Sequence, residues 1–120
     1  MSVDDTVREL VVKSFTDPDE TATFPNGSVG SVTVEGATIT RATMEPDWQW
    51  SVDEKEIAGT DRCPKSHHVY VVSGTLGLEL EDGTTTEVDA GSAVAIPPDH
   101  DAWTVGDSPL EYIDFRLEDA

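Results

Sequence analysis

Two segments decide the reading of this chain: Thr60-Asp61-Arg62-Cys63-Pro64-Lys65-Ser66-His67-His68-Val69-Tyr70-Val71-Val72-Ser73-Gly74, and Gly91-Ser92-Ala93-Val94-Ala95-Ile96-Pro97-Pro98-Asp99-His100-Asp101-Ala102-Trp103. They hold the one cysteine and all three histidines of the 120 residues, so soft and borderline ligand chemistry is concentrated there. Their spacings are Cys-x3-His-x6-Gly and Gly-x5-Pro-x-Asp-His. Both read as strands closed by turn residues.

Outward from these segments the pattern stays β. Val69 to Val72 and Leu76 to Leu80 are apolar strand runs, and Glu81-Asp82-Gly83-Thr84 reads as a tight hairpin with Asp-Gly supplying positive φ angles. Val94 to Ile96, Trp103 to Val105 and Tyr112 to Phe115 complete the C-terminal half. Upstream, Val29, Val32 and Val34 lead into a Glu35-Gly36 turn, and Ala37 to Met44 alternates as a strand does. Trp48-Gln49-Trp50-Ser51 reads as an extended segment with both tryptophans on one face. Asp17-Pro18-Asp19-Glu20 predicts a helix of a turn or two, ended by Pro25-Asn26-Gly27. Val3, Val7, Leu10 and Val11 suit either a helix or a short edge strand. Strands at this even spacing, without long helices, predict an all-β closed or two-sheet domain.

The length fits one domain, residues 1–120, with an N-terminal arm over about 1–27 and a barrel over about 28–117. Seven Lys and Arg against 25 Asp and Glu leave a net charge of −18. Such a surface repels phosphate backbones and anionic headgroups, so neither nucleic acid nor membrane is an expected partner. The acidic residues are scattered, as on the surface of a protein adapted to salt. A single cysteine excludes an intramolecular disulfide, and Met-Ser-Val-Asp-Asp lacks the basic start and apolar run of a secretion signal. A cytoplasmic protein is expected.

The two spacings resemble the motifs of the cupin superfamily, His-x-His-x3-4-Glu-x6-Gly and Gly-x5-Pro-x-Gly-x2-His. The strings Glu45-Pro46-Asp47-Trp48-x-Trp50-Ser51, Ile57-Ala58-Gly59-Thr60-Asp61-x-Cys63 and Pro97-Pro98-x-His100-Asp101-Ala102-Trp103 are similar to a subfamily of uncharacterised single-domain cupins. The resemblance covers roughly residues 37 to 117. It implies a jelly-roll or double-stranded β-helix barrel and a homodimer, but no particular reaction. In this register Asp61 and Cys63 stand where the first-motif histidines belong, His67 where the glutamate belongs, and Ala102 where the second-motif histidine belongs.

On a continuous strand Asp61, Cys63 and His67 share parity and point inward, while His68 and Tyr70 point outward. His100 lies two residues before Ala102, at a neighbouring inward position. Cys63, His67 and His100 are therefore candidate ligands of one divalent transition metal, zinc or iron, with Asp61 as a fourth ligand or a neighbour in the pocket. The plainer reading makes Cys63 a buried thiol, His67 a hydrogen-bonded core histidine and His100 a loop residue. A further reading makes Cys63 a reactive thiol with His67 or His100 as its base. Trp48, Trp50 and Trp103 are candidate walls for a small-molecule ligand, or ordinary core. Asp99-His100-Asp101 flanks a histidine with acids. Metal-assisted enzyme and non-catalytic ligand-binding or regulatory module both remain open.

Overall fold

The structure, a computed structural model, describes residues 7–117. Nine strands and two single-turn helices follow in the order β1 (Glu20–Phe24), β2 (Gly27–Val34), β3 (Ala37–Met44), α1 (Trp50–Asp53), α2 (Lys55–Ala58), β4 (His67–Ser73), β5 (Thr75–Glu79), β6 (Thr85–Asp89), β7 (Ala93–Ile96), β8 (Asp101–Thr104) and β9 (Leu110–Leu117). A six-stranded sheet runs β1-β2-β3-β9-β4-β7, and a three-stranded sheet runs β6-β5-β8. The strand pairs are antiparallel, so each strand gives one side chain in two to the space between the sheets. Met44, Val71 and Leu110 are fully buried there, with Trp48, Leu76 and Leu78 close to it. The all-β barrel expected of the sequence is the observed fold.

Turn chemistry fixes the registers. Pro25 and Asn26, the latter at φ 63°, join β1 to β2, and Glu35-Gly36 joins β2 to β3. At Glu81 to Thr84 only Gly83 takes a positive φ; Asp82 instead accepts the Thr84 N–H on its carboxylate at 2.9 Å. That corrects the expectation of two positive φ angles.

The helix expected at Asp17-Pro18-Asp19-Glu20 is absent. A turn closes from Asp17 N–H to the Ser14 carbonyl, and Glu20 already opens strand β1. The Asp19 carboxylate that would cap a helix is taken by the Thr33 N–H at 2.8 Å and by Lys13, and its pKa is lowered by these bonds. Thr21 and Thr23 then pair with Gly30 and Ser28 as β-branched residues prefer. The arm thus contributes an edge strand inside the stretch expected to be helical or irregular. Of the N-terminal apolar residues, Val7, Leu10 and Val11 have neither helix nor strand, and Val3 lies outside the described residues.

Trp48 to Ser51 is also not a continuous strand. Gln49 makes one bridge to Trp103, and the chain turns into α1 at Trp50. The cause is Asp101: its buried carboxylate accepts from Ser51 N–H (2.9 Å), Ser51 Oγ (2.8 Å), Gln49 Nε2 (2.8 Å) and the Ala102 N–H (2.9 Å). Four donors converging on one carboxylate pin the start of α1 to β8.

Candidate metal and ligand site

The first-motif loop and the second-motif loop are tied by two backbone bonds, Cys63 N–H to the His100 carbonyl (2.9 Å) and Asp99 N–H to the Cys63 carbonyl (2.7 Å). Asp99 makes the turn possible by adopting φ 67°, a conformation that Asp tolerates better than most residues. His67 opens β4 opposite Ile96, so its ring faces the same space. The Cys63 Sγ and the reachable ring nitrogens of His67 and His100 lie within 4.8 Å of one another. Cys63 and His100 are buried and His67 is half-buried.

Hydrogen bonds settle which nitrogens are free. His100 Nδ1 lies 2.7 Å from the Pro97 carbonyl, which can only accept, so Nδ1 carries a proton and Nε2 is the nitrogen left to face the cluster. His67 Nδ1 lies 2.7 Å from Asp114 Oδ2, leaving His67 Nε2 3.4 Å from Cys63 Sγ. The two imidazoles meet edge to face, ring centroids 5.2 Å apart. One thiol sulfur and two ε-nitrogens, each histidine oriented through its other nitrogen by an oxygen acceptor, is a donor set suited to zinc or a related divalent transition ion.

In the metal-free protein the same geometry favours an ion pair. Burial alone would raise the Cys63 pKa, but hydrogen bonds with His100, His67 and the Lys65 backbone outweigh it and bring the thiol to about 6. Burial would lower that of His67, but Asp114 and Cys63 outweigh it and raise the imidazole to about 9. Asp114 on β9 was not among the candidates; it sits at the inward position across from Val69. Its signal was an acidic residue sharing parity with Leu110 and Tyr112, the apolar face of the strand.

The cluster lies on the wall of a cavity of about 560 Å³. Trp48 and Trp50 line it, as do Met44, Leu76, Leu78 and Tyr112. Glu54, also missed in the sequence, faces the cavity between α1 and α2, held by Trp48 Nε1 donating to its Oε2 at 2.9 Å. Burial raises its pKa, partly offset by the Trp48 bond. Burial and the charges of Glu54, Asp114 and Cys63 push the Tyr112 phenol up as well, so it stays protonated.

Two expected residues are elsewhere. Asp61 is not on a strand; its side chain is 90% exposed and paired with Lys55 at 3.1 Å, because strand β4 begins only at His67 and parity does not carry through the intervening loop. Trp103 lies on the other face of β8 from Ala102, across from Gly77, where a Cβ on Gly77 would come within 2.2 Å of its indole. It packs on the outside of the small sheet. Asp101 turns to Ser51 and Gln49, not to the His100 ring.

No family model matches the chain, and no curated protein matches it. Solved structures do. The cupin_2 domain of an XRE family transcriptional regulator from Enterobacter cloacae superposes with a TM-score of 0.59 at 13% identity, over 79% of this chain and 98% of that one. The fold is that of the cupin barrels. The polyketide cyclase RemF from Streptomyces resistomycificus is similar over 92% of this chain and 81% of its own (TM-score 0.63, 17% identity). A single-residue variant of the oxalate decarboxylase from Bacillus subtilis matches over 95% of this chain (TM-score 0.64, 14% identity). The chain spans 32% of that decarboxylase and 52% of an HTH_3 family transcriptional regulator from Vibrio cholerae, which matches at 12% identity (TM-score 0.56) over 79% of this chain.

Proposed function

We propose that this cupin barrel binds one divalent transition ion, zinc or iron, through Cys63 Sγ, His67 Nε2 and His100 Nε2, and takes a small molecule in the adjoining cavity. The observation that carries the reading is that both Nδ1 atoms are engaged by oxygen acceptors while both Nε2 atoms and the sulfur converge. Once the His67 proton is displaced, one sulfur and two ε-nitrogens within 4.8 Å of one another can meet on a single ion. When bound, the ion supplies Lewis-acid polarisation of a ligand oxygen or activation of water. Around it, Asp114 and the Pro97 carbonyl hold the two rings in register, and Trp48, Trp50 and Leu76 exclude water from the apolar side of the cavity. Elemental analysis of protein purified without chelator or metal column tests this. One ion per chain is expected, lost in a Cys63→Ser, His67→Ala, His100→Ala triple variant; equal binding by wild type and variant would remove the site.

A second reading, a ligand-binding module without metal, is favoured by the Cys63–His67 contact at 3.4 Å, which already satisfies the thiol as an ion pair. It is the reading to adopt if the purified protein is metal-free and resists reconstitution. Pairing of two copies through the outer face of the large sheet, where Tyr70, Val72 and Phe115 are exposed, is proposed for either case. Light scattering at high salt checks it, since the acidic surface repels itself at low salt; a monomer there would end that proposal.

A further inference from the structure

The cavity has two unlike walls, and the one outside the Cys/His cluster carries chemistry of its own. Glu54 is fixed through one oxygen by Trp48 Nε1, and among the described residues its Oε1 has no hydrogen-bond partner. The residue lines the cavity, where the surrounding wall is aromatic and aliphatic. A carboxylate in that setting accepts hydrogen bonds strongly and repels anions. Asp114 adds little to that repulsion, because its charge is paired with His67. Of the cationic side chains on the cavity lining, His67 is paired with Asp114 and Cys63, and Lys65 is exposed on the loop ahead of β4.

We infer that Glu54 selects the occupant of the cavity: an uncharged molecule with a flat apolar body and a hydroxyl or enol proton that it donates to Glu54 Oε1. Trp48 and Trp50 supply flat apolar faces for such a body. The protonated Tyr112 hydroxyl offers a second, donor contact on the same cavity. This rests on the proposed binding cavity and concerns its substrate class, not the metal.

Equilibrium dialysis with a naphthol, its methyl ether and the corresponding naphthoate tests the inference on the purified chain, with metal content measured in the same samples, both as isolated and after chelator treatment. The naphthol is expected to bind about tenfold tighter than the ether, which keeps the body and loses the proton, and tighter still than the naphthoate. In Glu54→Gln, whose amide oxygen can still accept from Trp48 Nε1, the preference for naphthol over naphthoate should fall by about tenfold. Equal binding of naphthol and ether by the wild-type protein overturns the inference, with no variant required. So does an unchanged preference in a folded Glu54→Gln. A protein that is metal-free as isolated, resists reconstitution and keeps the naphthol preference refutes only the metal site, and a metal-loaded sample without the preference refutes only the role of Glu54.

Discussion

The cavity's two walls are built by different means. The Cys63, His67, His100 and Asp114 wall is set by strand register: His67 opposite Ile96, Asp114 opposite Val69, and a two-bond bridge joining Cys63 to His100. Ladder hydrogen bonds on both sides of β4 hold these positions. The Trp48, Trp50 and Glu54 wall has no ladder beyond one bridge and rests on two single-turn helices, too short to be stable alone. Beside the burial of Trp48 and Trp50 in the core, its polar anchor is one buried carboxylate, Asp101. The comparison teaches that a wall fixed by strand register and a wall held by packing and one polar staple can share a cavity.

Substitutions separate the two. Cys63→Ser replaces the thiolate donor, and zinc affinity should drop by about a thousandfold, roughly a third of the free energy typical of a structural zinc site; competition with a chromogenic chelator reads it. The fold should persist, because serine fits the space of a buried thiol. Asp101→Ala strands the Ser51 and Gln49 donors and should cost about 3 kcal/mol of stability, measured by denaturant unfolding. If the walls are independent, that variant also loses the cavity's ligand preference while zinc affinity changes by less than about tenfold; loss of both together would join the walls into one unit. Asp114→Asn keeps the shape but weakens the hold on His67 Nδ1, and zinc affinity should fall by about 10- to 100-fold.

The smallest effect is in the metal-free protein. Thiolate ultraviolet absorbance should appear with a midpoint near 6 and move upward in His67→Asn. The signs for stability follow from the same shifts. The Cys63 contribution is fully present above the thiol's ordinary value of 9.0 and is lost as pH falls through about 6. That of His67 is fully present below 6.5 and is lost as pH rises through about 9. The ion pair therefore belongs to the window between about 6 and 9, and a thiol midpoint that stays near 9 would show that the imidazoles do not face the sulfur.

Much of this was written in local sequence. Alternating β-branched runs and turn residues such as Glu35-Gly36 and Gly83 determine strands through short-range sterics, so the barrel was legible, and the Cys-x3-His spacing with His100 named the residues that converge. Where local signals compete, tertiary contacts decided. Asp19 could cap a helix, but bonding Thr33 makes the stretch a strand edge. Asp61 and Trp103 were placed by counting parity, which holds only along an unbroken strand; a loop at 61–66 and the choice of sheet face at Gly77 lie beyond its reach. Asp114 is 47 residues from His67 in the chain and Glu54 lies on a separate element, and only folding brings their carboxylates to the same cavity. Strand identity is a property of neighbours in sequence, whereas a site made of unlike charges is a property of neighbours in space.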